Sequence, residues 1–107
     1  MNPIFNIKGE LFPWTEGKGD SWVFLTVPRD ESEEIKEIAP SGKGFGSVKV
    51  ECRIADPSND GEFVWRTSVF PDSKSGCFVL PLKKAARKAA DVDVGDKLDV
   101  ELEILLL

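Results

Sequence analysis

Lys83, Lys84, Arg87 and Lys88 fall at i, i+1, i+4 and i+5, which puts four cations on one stripe of a helix. Such a stripe can contact the phosphates of a nucleic acid or meet an anionic partner. Four phosphate contacts give only a modest and strongly salt-dependent affinity. Asp91 and Asp93 follow closely enough to neutralise part of the stripe, and a solvated helix face is its commoner use. A second group is aromatic. Trp14 stands in a Pro-, Gly- and Lys-rich loop, Phe45 in a glycine-rich one, and Trp65 precedes Arg66 in a strand pattern. Gathered at the mouth of a barrel, Trp14, Phe45, Trp65 and Arg66 suit a small anionic or aromatic ligand. Rings of this kind more often plug a barrel end.

Other constellations fail on context. Ser41-Gly42-Lys43-Gly44-Phe45-Gly46 has the glycines of a phosphate loop, but they follow a helix pattern and enter a strand, the reverse of the order such loops need. Asp56-Pro57-Ser58-Asn59-Asp60-Gly61 matches the first half of a calcium loop, yet the bidentate acid required at the twelfth position falls on Thr67. A hairpin turn explains those residues better. Cys52 points with the core residues of its strand and Cys77 begins a strand after glycine; neither has the surroundings of an activated thiolate. The acidic residues form no acid–base dyad, and there is no histidine in the chain. That absence removes the usual general base, the usual partner of a Ser or Cys nucleophile and the commonest transition-metal ligand. The residues thus point to no catalytic group, no metal site and no cofactor.

The elements that position these residues are mostly strands. Val48, Val50, Cys52 and Ile54 alternate with Lys49, Glu51 and Arg53, a period of two with one face buried. Leu98, Val100, Leu102, Ile104 and Leu106 repeat the pattern at the C-terminus. Phe5, Ile7 and Leu11 give a first strand, Phe63, Trp65, Thr67 and Val69 a fourth, and Cys77 to Leu80 a short fifth. Trp22 to Val27 is apolar on both faces apart from Thr26, which predicts a central strand covered on both sides with Trp22 in the core. Two short helices interrupt the strands. Asp30 or Ser32 caps the first, ahead of Ile35 and Ile38; the second begins after Pro81 and carries Leu82, Ala85, Ala86 and Ala89 as its apolar stripe.

The two halves of the chain repeat one another. Phe12-Pro13 ends the first strand and Phe70-Pro71 the fourth; Trp22-Val23-Phe24-Leu25 precedes Pro28 and a helix, and Cys77-Phe78-Val79-Leu80 precedes Pro81 and a helix. Gly46-Ser47 leads into Val48 to Ile54, and Gly95-Asp96 into Leu98 to Ile104. The unit is strand–strand–helix–strand, performed twice, with half-units at about 3–55 and 61–107 of one 1–107 domain. Two such units can close a six-stranded barrel within one polypeptide and leave few free edges, which predicts a monomer.

Val79-Leu80-Pro81-Leu82-Lys83-Lys84-Ala85-Ala86-Arg87-Lys88-Ala89-Ala90, followed by Val94-Gly95-Asp96-Lys97-Leu98, resembles the signature of AbrB-like and MazE-like swapped-hairpin proteins. With Trp22 to Pro28, Gly44-Phe45-Gly46 and Trp65 to Pro71, nearly the whole chain more closely resembles a bacterial family known only as a domain of unknown function. The resemblance implies a double-split, AbrB-like β-barrel, and it supplies no accepted activity, cofactor or catalytic residue. Members of that family occur alone or beside a bacteriocin-protection-like domain.

Composition agrees with a compact globular domain: of 107 residues, 41% are hydrophobic and 31% charged. No apolar run approaches the roughly 20 residues of a membrane-spanning helix. The start has neither a basic region nor a long apolar stretch, which predicts no signal peptide and a cytoplasmic location. A net charge of −5 opposes non-specific attraction to phosphate backbones or anionic lipid. The expected function is a non-catalytic β-barrel domain that binds a small ligand or a protein partner. Its rivals are an AbrB-like DNA-binding module and an enzyme of unfamiliar type.

Overall fold

A computed structural model describes residues 2–13, 22–38, 46–57 and 61–105. The elements are β1 (Ile4–Pro13), β2 (Val23–Thr26), α1 (Arg29–Ile38), β3 (Val48–Asp56), β4 (Gly61–Pro71), β5 (Phe78–Pro81), α2 (Lys84–Ala90) and β6 (Lys97–Ile104). The strands close a barrel in the order β1-β2-β5-β4-β3-β6, antiparallel at every contact. Alternation builds its wall. Val48, Val50, Cys52 and Ile54 of β3, with Leu98, Val100, Leu102 and Ile104 of β6, turn inward and are buried, and the charged residues between them turn out. Ile7, Leu11, Leu25, Val69 and Leu80 complete the interior, while Ile35 and Ala86 dock the two helices on it. Among the described residues, no helix is long and apolar enough to cross a membrane.

Exchanging the halves leaves the strand order unchanged, because β1, β2 and β3 have the same neighbours as β4, β5 and β6. The register obeys the same exchange. Phe12↔Phe24 and Pro13↔Val23 correspond to Phe70↔Val79 and Pro71↔Phe78, and Ile7↔Val100 corresponds to Trp65↔Cys52. Two pairs map onto themselves, Leu25↔Leu80 and Arg53↔Glu101, so a pseudo-two-fold axis runs through both.

Several local expectations are corrected. Trp22 is 65% exposed, because Val23, Leu25 and Val27 are the inward residues and Trp22 falls on the opposite phase. Phe24 and Thr26 on that outer phase are only half-buried, so the strand is not covered on both sides. Helix α1 begins at Arg29, and Ser32 lies fully buried within it rather than at its cap. Pro81 ends β5, and α2 starts three residues later; Ala86 is buried there while Ala85 is exposed. The repeat is also shifted in detail. Pro81 takes the place of Thr26, not of Pro28, and Leu98 corresponds to Val50 rather than to Val48.

Candidate functional site

A cleft among the described residues opens where β4 leaves β5. Their pairing ends at Phe70↔Val79, and beyond it Trp65 to Thr67 face Pro81 to Lys83 across a gap. The space has a volume of about 690 Å³, within the range of small-molecule sites. The corresponding gap in the other half is closed by Gly9 on β1. A Cβ there would lie 3.0 Å from Leu25 Cδ2 and 3.2 Å from the Thr26 carbonyl oxygen, so β1 runs close against β2. The position equivalent to Gly9 on β4 is Thr67, whose side chain lines the cleft. The two equivalent positions thus differ, a glycine where the strands run close and a threonine where they part.

Aromatic and cationic residues share the walls. Trp22 presents its ring at the cleft and stacks on Phe24 with centroids 6.3 Å apart; Phe24 in turn touches Phe12 at 6.2 Å. Phe70 stands on the outer face of β4, 44% exposed, and Trp65 forms the inner wall at 6%. Arg66, Lys83, Lys84 and Arg87 supply the charge, and among the described residues no carboxylate lines the space. Two of the cations are engaged. Arg66 Nε meets Glu51 at 3.0 Å; Arg87 Nη1 meets Asp93 at 3.5 Å, and its Nε donates to the Leu82 carbonyl at 3.3 Å. Lys83 and Lys84 are exposed and form no ion pair with a described residue.

The structure brings together Lys83, Lys84, Arg87, Trp65 and Arg66, which the sequence had placed in two separate groups. Lys88 is exposed on α2 and does not line the cleft. Trp14 and Phe45 lie outside the described residues, as do Ser41 to Phe45 of the glycine-rich stretch and Ser58 to Asp60 of the calcium-like loop. Trp22 and Phe70 join the site without having been singled out for it. The alternation of Val23, Leu25 and Val27 already puts Trp22 on the other face, and Phe70 alternates in the same way with Val69.

A second charged cluster sits on the barrel's outer wall at the pseudo-two-fold axis. Arg53 meets Glu51 at 2.6 Å, Glu103 at 2.8 Å and Glu101 at 3.4 Å. The Glu103 hydrogen bond, ahead of the surrounding carboxylates, holds the guanidinium pKa up; the same bond, together with one from Asn2, holds the Glu103 carboxyl below its ordinary value. Arg53 is shared by three carboxylates, so this group ties β3 to β6 and leaves no cation over for an anionic ligand. Inside the wall, burial pushes the Cys52 thiol up to about 12, against a smaller opposing influence of Arg53. A thiol so placed stays protonated and is no nucleophile at neutral pH.

A family model described as a domain of unknown function (DUF1905) matches residues 8–102, and the chain belongs to that family. No curated protein matches the chain.

Proposed function

We propose that this family member is a non-catalytic binding module, and that its ligand is a small molecule joining an anionic group to a planar or apolar body. The observation that carries this reading is the cleft between β4 and the start of α2. There Trp22 and Phe70 stand beside Lys83 and Lys84 and, among the described residues, no carboxylate lines the space. Aromatic faces hold the apolar body by contact, and the lysines favour the charged end. On a chain of net charge −5, this local positive region draws a small anion more readily than a long polyanion, whose remaining phosphates would face the acidic surface. That contrast weighs against the AbrB-like reading of duplex DNA binding. Two free, buried cysteines accord with a reducing cytoplasm, and the closed ring of strands with a monomer.

Phenyl phosphate is a suitable probe because it carries both features. Titrated calorimetrically into the full chain, it is expected to bind saturably, and more tightly than phenol or inorganic phosphate alone. Lys83→Ala with Lys84→Ala is expected to weaken it tenfold or more, about 1.4 kcal/mol. Equal affinity for wild type and double variant, or no saturable binding at all, refutes the assignment.

A further inference from the structure

The two halves treat one hydrogen-bonding position differently, and the difference falls in the wall of the cleft. In the first half, the Val27 N–H donates to the Phe78 carbonyl at 2.8 Å. The return bond, from the Phe78 N–H to the Val27 carbonyl, is replaced by an inserted hydroxyl. Ser32 Oγ accepts from the Phe78 N–H at 3.0 Å and donates to the Val27 carbonyl at 3.0 Å. In the second half, the Leu82 N–H donates to the Val23 carbonyl at 2.9 Å, the counterpart of the first bond.

Arg87 occupies the place of Ser32. Its backbone N–H donates to the Lys83 carbonyl as that of Ser32 donates to Pro28, and its Nε donates to the Leu82 carbonyl as Ser32 Oγ donates to Val27. A guanidinium has donors alone. It can serve the carbonyl, but it cannot accept from the Val23 N–H, which corresponds to the Phe78 N–H. That N–H makes no return bond to the Leu82 carbonyl, although Val23 is only 2% exposed. Native proteins leave few buried N–H groups without an acceptor. Val23, Leu82 and Arg87 all border the cleft.

The geometry points to an oxyanion of the ligand, a carboxylate or phosphate oxygen, as the acceptor of that N–H. It sits between the Val23 N–H and the Arg87 guanidinium, where the Ser32 hydroxyl sits in the other half. Lys83 and Lys84 lie beside it, and the ligand's body lies against Trp22 and Phe70. The inference rests on the binding reading of the cleft and adds to it a definite seat for the charge. It makes Arg87 and one backbone amide the selective groups, where the lysines supply general attraction.

The test is an amide-resolved NMR titration of the full chain with phenyl phosphate and, in a separate arm, benzoate. The Val23 amide proton is expected to move downfield saturably, and the arm with the larger effect identifies the oxyanion. Arg87→Ser places a hydroxyl where the other half has one. That variant is expected to remain folded, to melt no lower than wild type, and to lose tenfold or more in affinity, since charged hydrogen bonds are the stronger kind. Arg87→Gln, which also carries an acceptor, serves as the second variant should the serine form fold poorly. Saturable shifts at Trp22 and Lys84 with Val23 unmoved would overturn the seat and leave the cleft reading standing, as would undiminished binding by both variants. No saturable shift with either probe would remove both.

Discussion

Ser32→Ala is the most informative single change to the framework. The hydroxyl is fully buried and joins two segments distant in sequence, Val27 beside α1 and Phe78 at the start of β5. Its removal loses two hydrogen bonds, each worth about 1 kcal/mol net, and leaves the Phe78 N–H without its partner at a further cost of about 1–3 kcal/mol. The volume lost is one oxygen, so the cavity contribution is small. A destabilisation of about 3–5 kcal/mol follows. With a denaturant dependence of about 2 kcal/mol per molar urea, the unfolding midpoint drops by roughly 1.5–2.5 M. Ser47→Ala, at an exposed position, is the control and is expected to stay within about 0.5 kcal/mol of wild type. Urea unfolding followed by tryptophan fluorescence reads both. A Ser32→Ala midpoint indistinguishable from that of the control would show that the inserted hydroxyl does not tie the halves together.

Other consequences are open to measurement. Gly9→Ala places a Cβ against Leu25 and the Thr26 carbonyl, and overpacking of about 1–3 kcal/mol should lower Tm by roughly 5–15 °C; an unchanged melt would refute the close approach of β1 to β2. The Glu103 carboxyl, held low by the Arg53 hydrogen bond and then by Asn2, stabilises the fold above its unfolded pKa, and that stabilisation is lost as pH falls through the depressed folded value. Wild type should therefore exceed Glu103→Gln in stability at pH 7 and converge with it below about pH 4, a crossover measured by denaturation across pH; a constant difference would contradict the pairing. Cys52, with its thiol pushed up to about 12 by burial, should resist iodoacetamide at pH 8 until the chain is unfolded, as read by mass spectrometry of the labelled peptide; rapid labelling of the native protein would count against its burial.

Most of the barrel was legible because alternation is a local property. Val48 to Ile54 and Leu98 to Ile104 show their buried faces in the sequence itself, and those faces are the ones the structure buries. The paired halves were legible for the same reason, though Pro28 and Pro81 suggested an alignment that the hydrogen-bond register does not keep. What stayed hidden depends on contacts between distant segments. Ser32 has the composition of a helix cap, and only the arrival of Phe78 makes its hydroxyl a bridge. Trp22 was absorbed into an apolar run whose size hid its phase. The cations on α2 and the Trp65-Arg66 pair were visible separately, but their meeting depends on β4 parting from β5 beside Thr67, a property of the strand's neighbour. The Val23 N–H is a backbone group and leaves no mark in a sequence.

The most direct measurement is a crystal structure of the full chain soaked with phenyl phosphate. The expected result is the phenyl ring against Trp22 and the phosphate within hydrogen-bonding reach of Lys83 or Lys84, with no probe between β1 and β2 beside Gly9. Probe density elsewhere on the surface at saturating concentration, with the space between β4 and α2 vacant, would contradict the assignment.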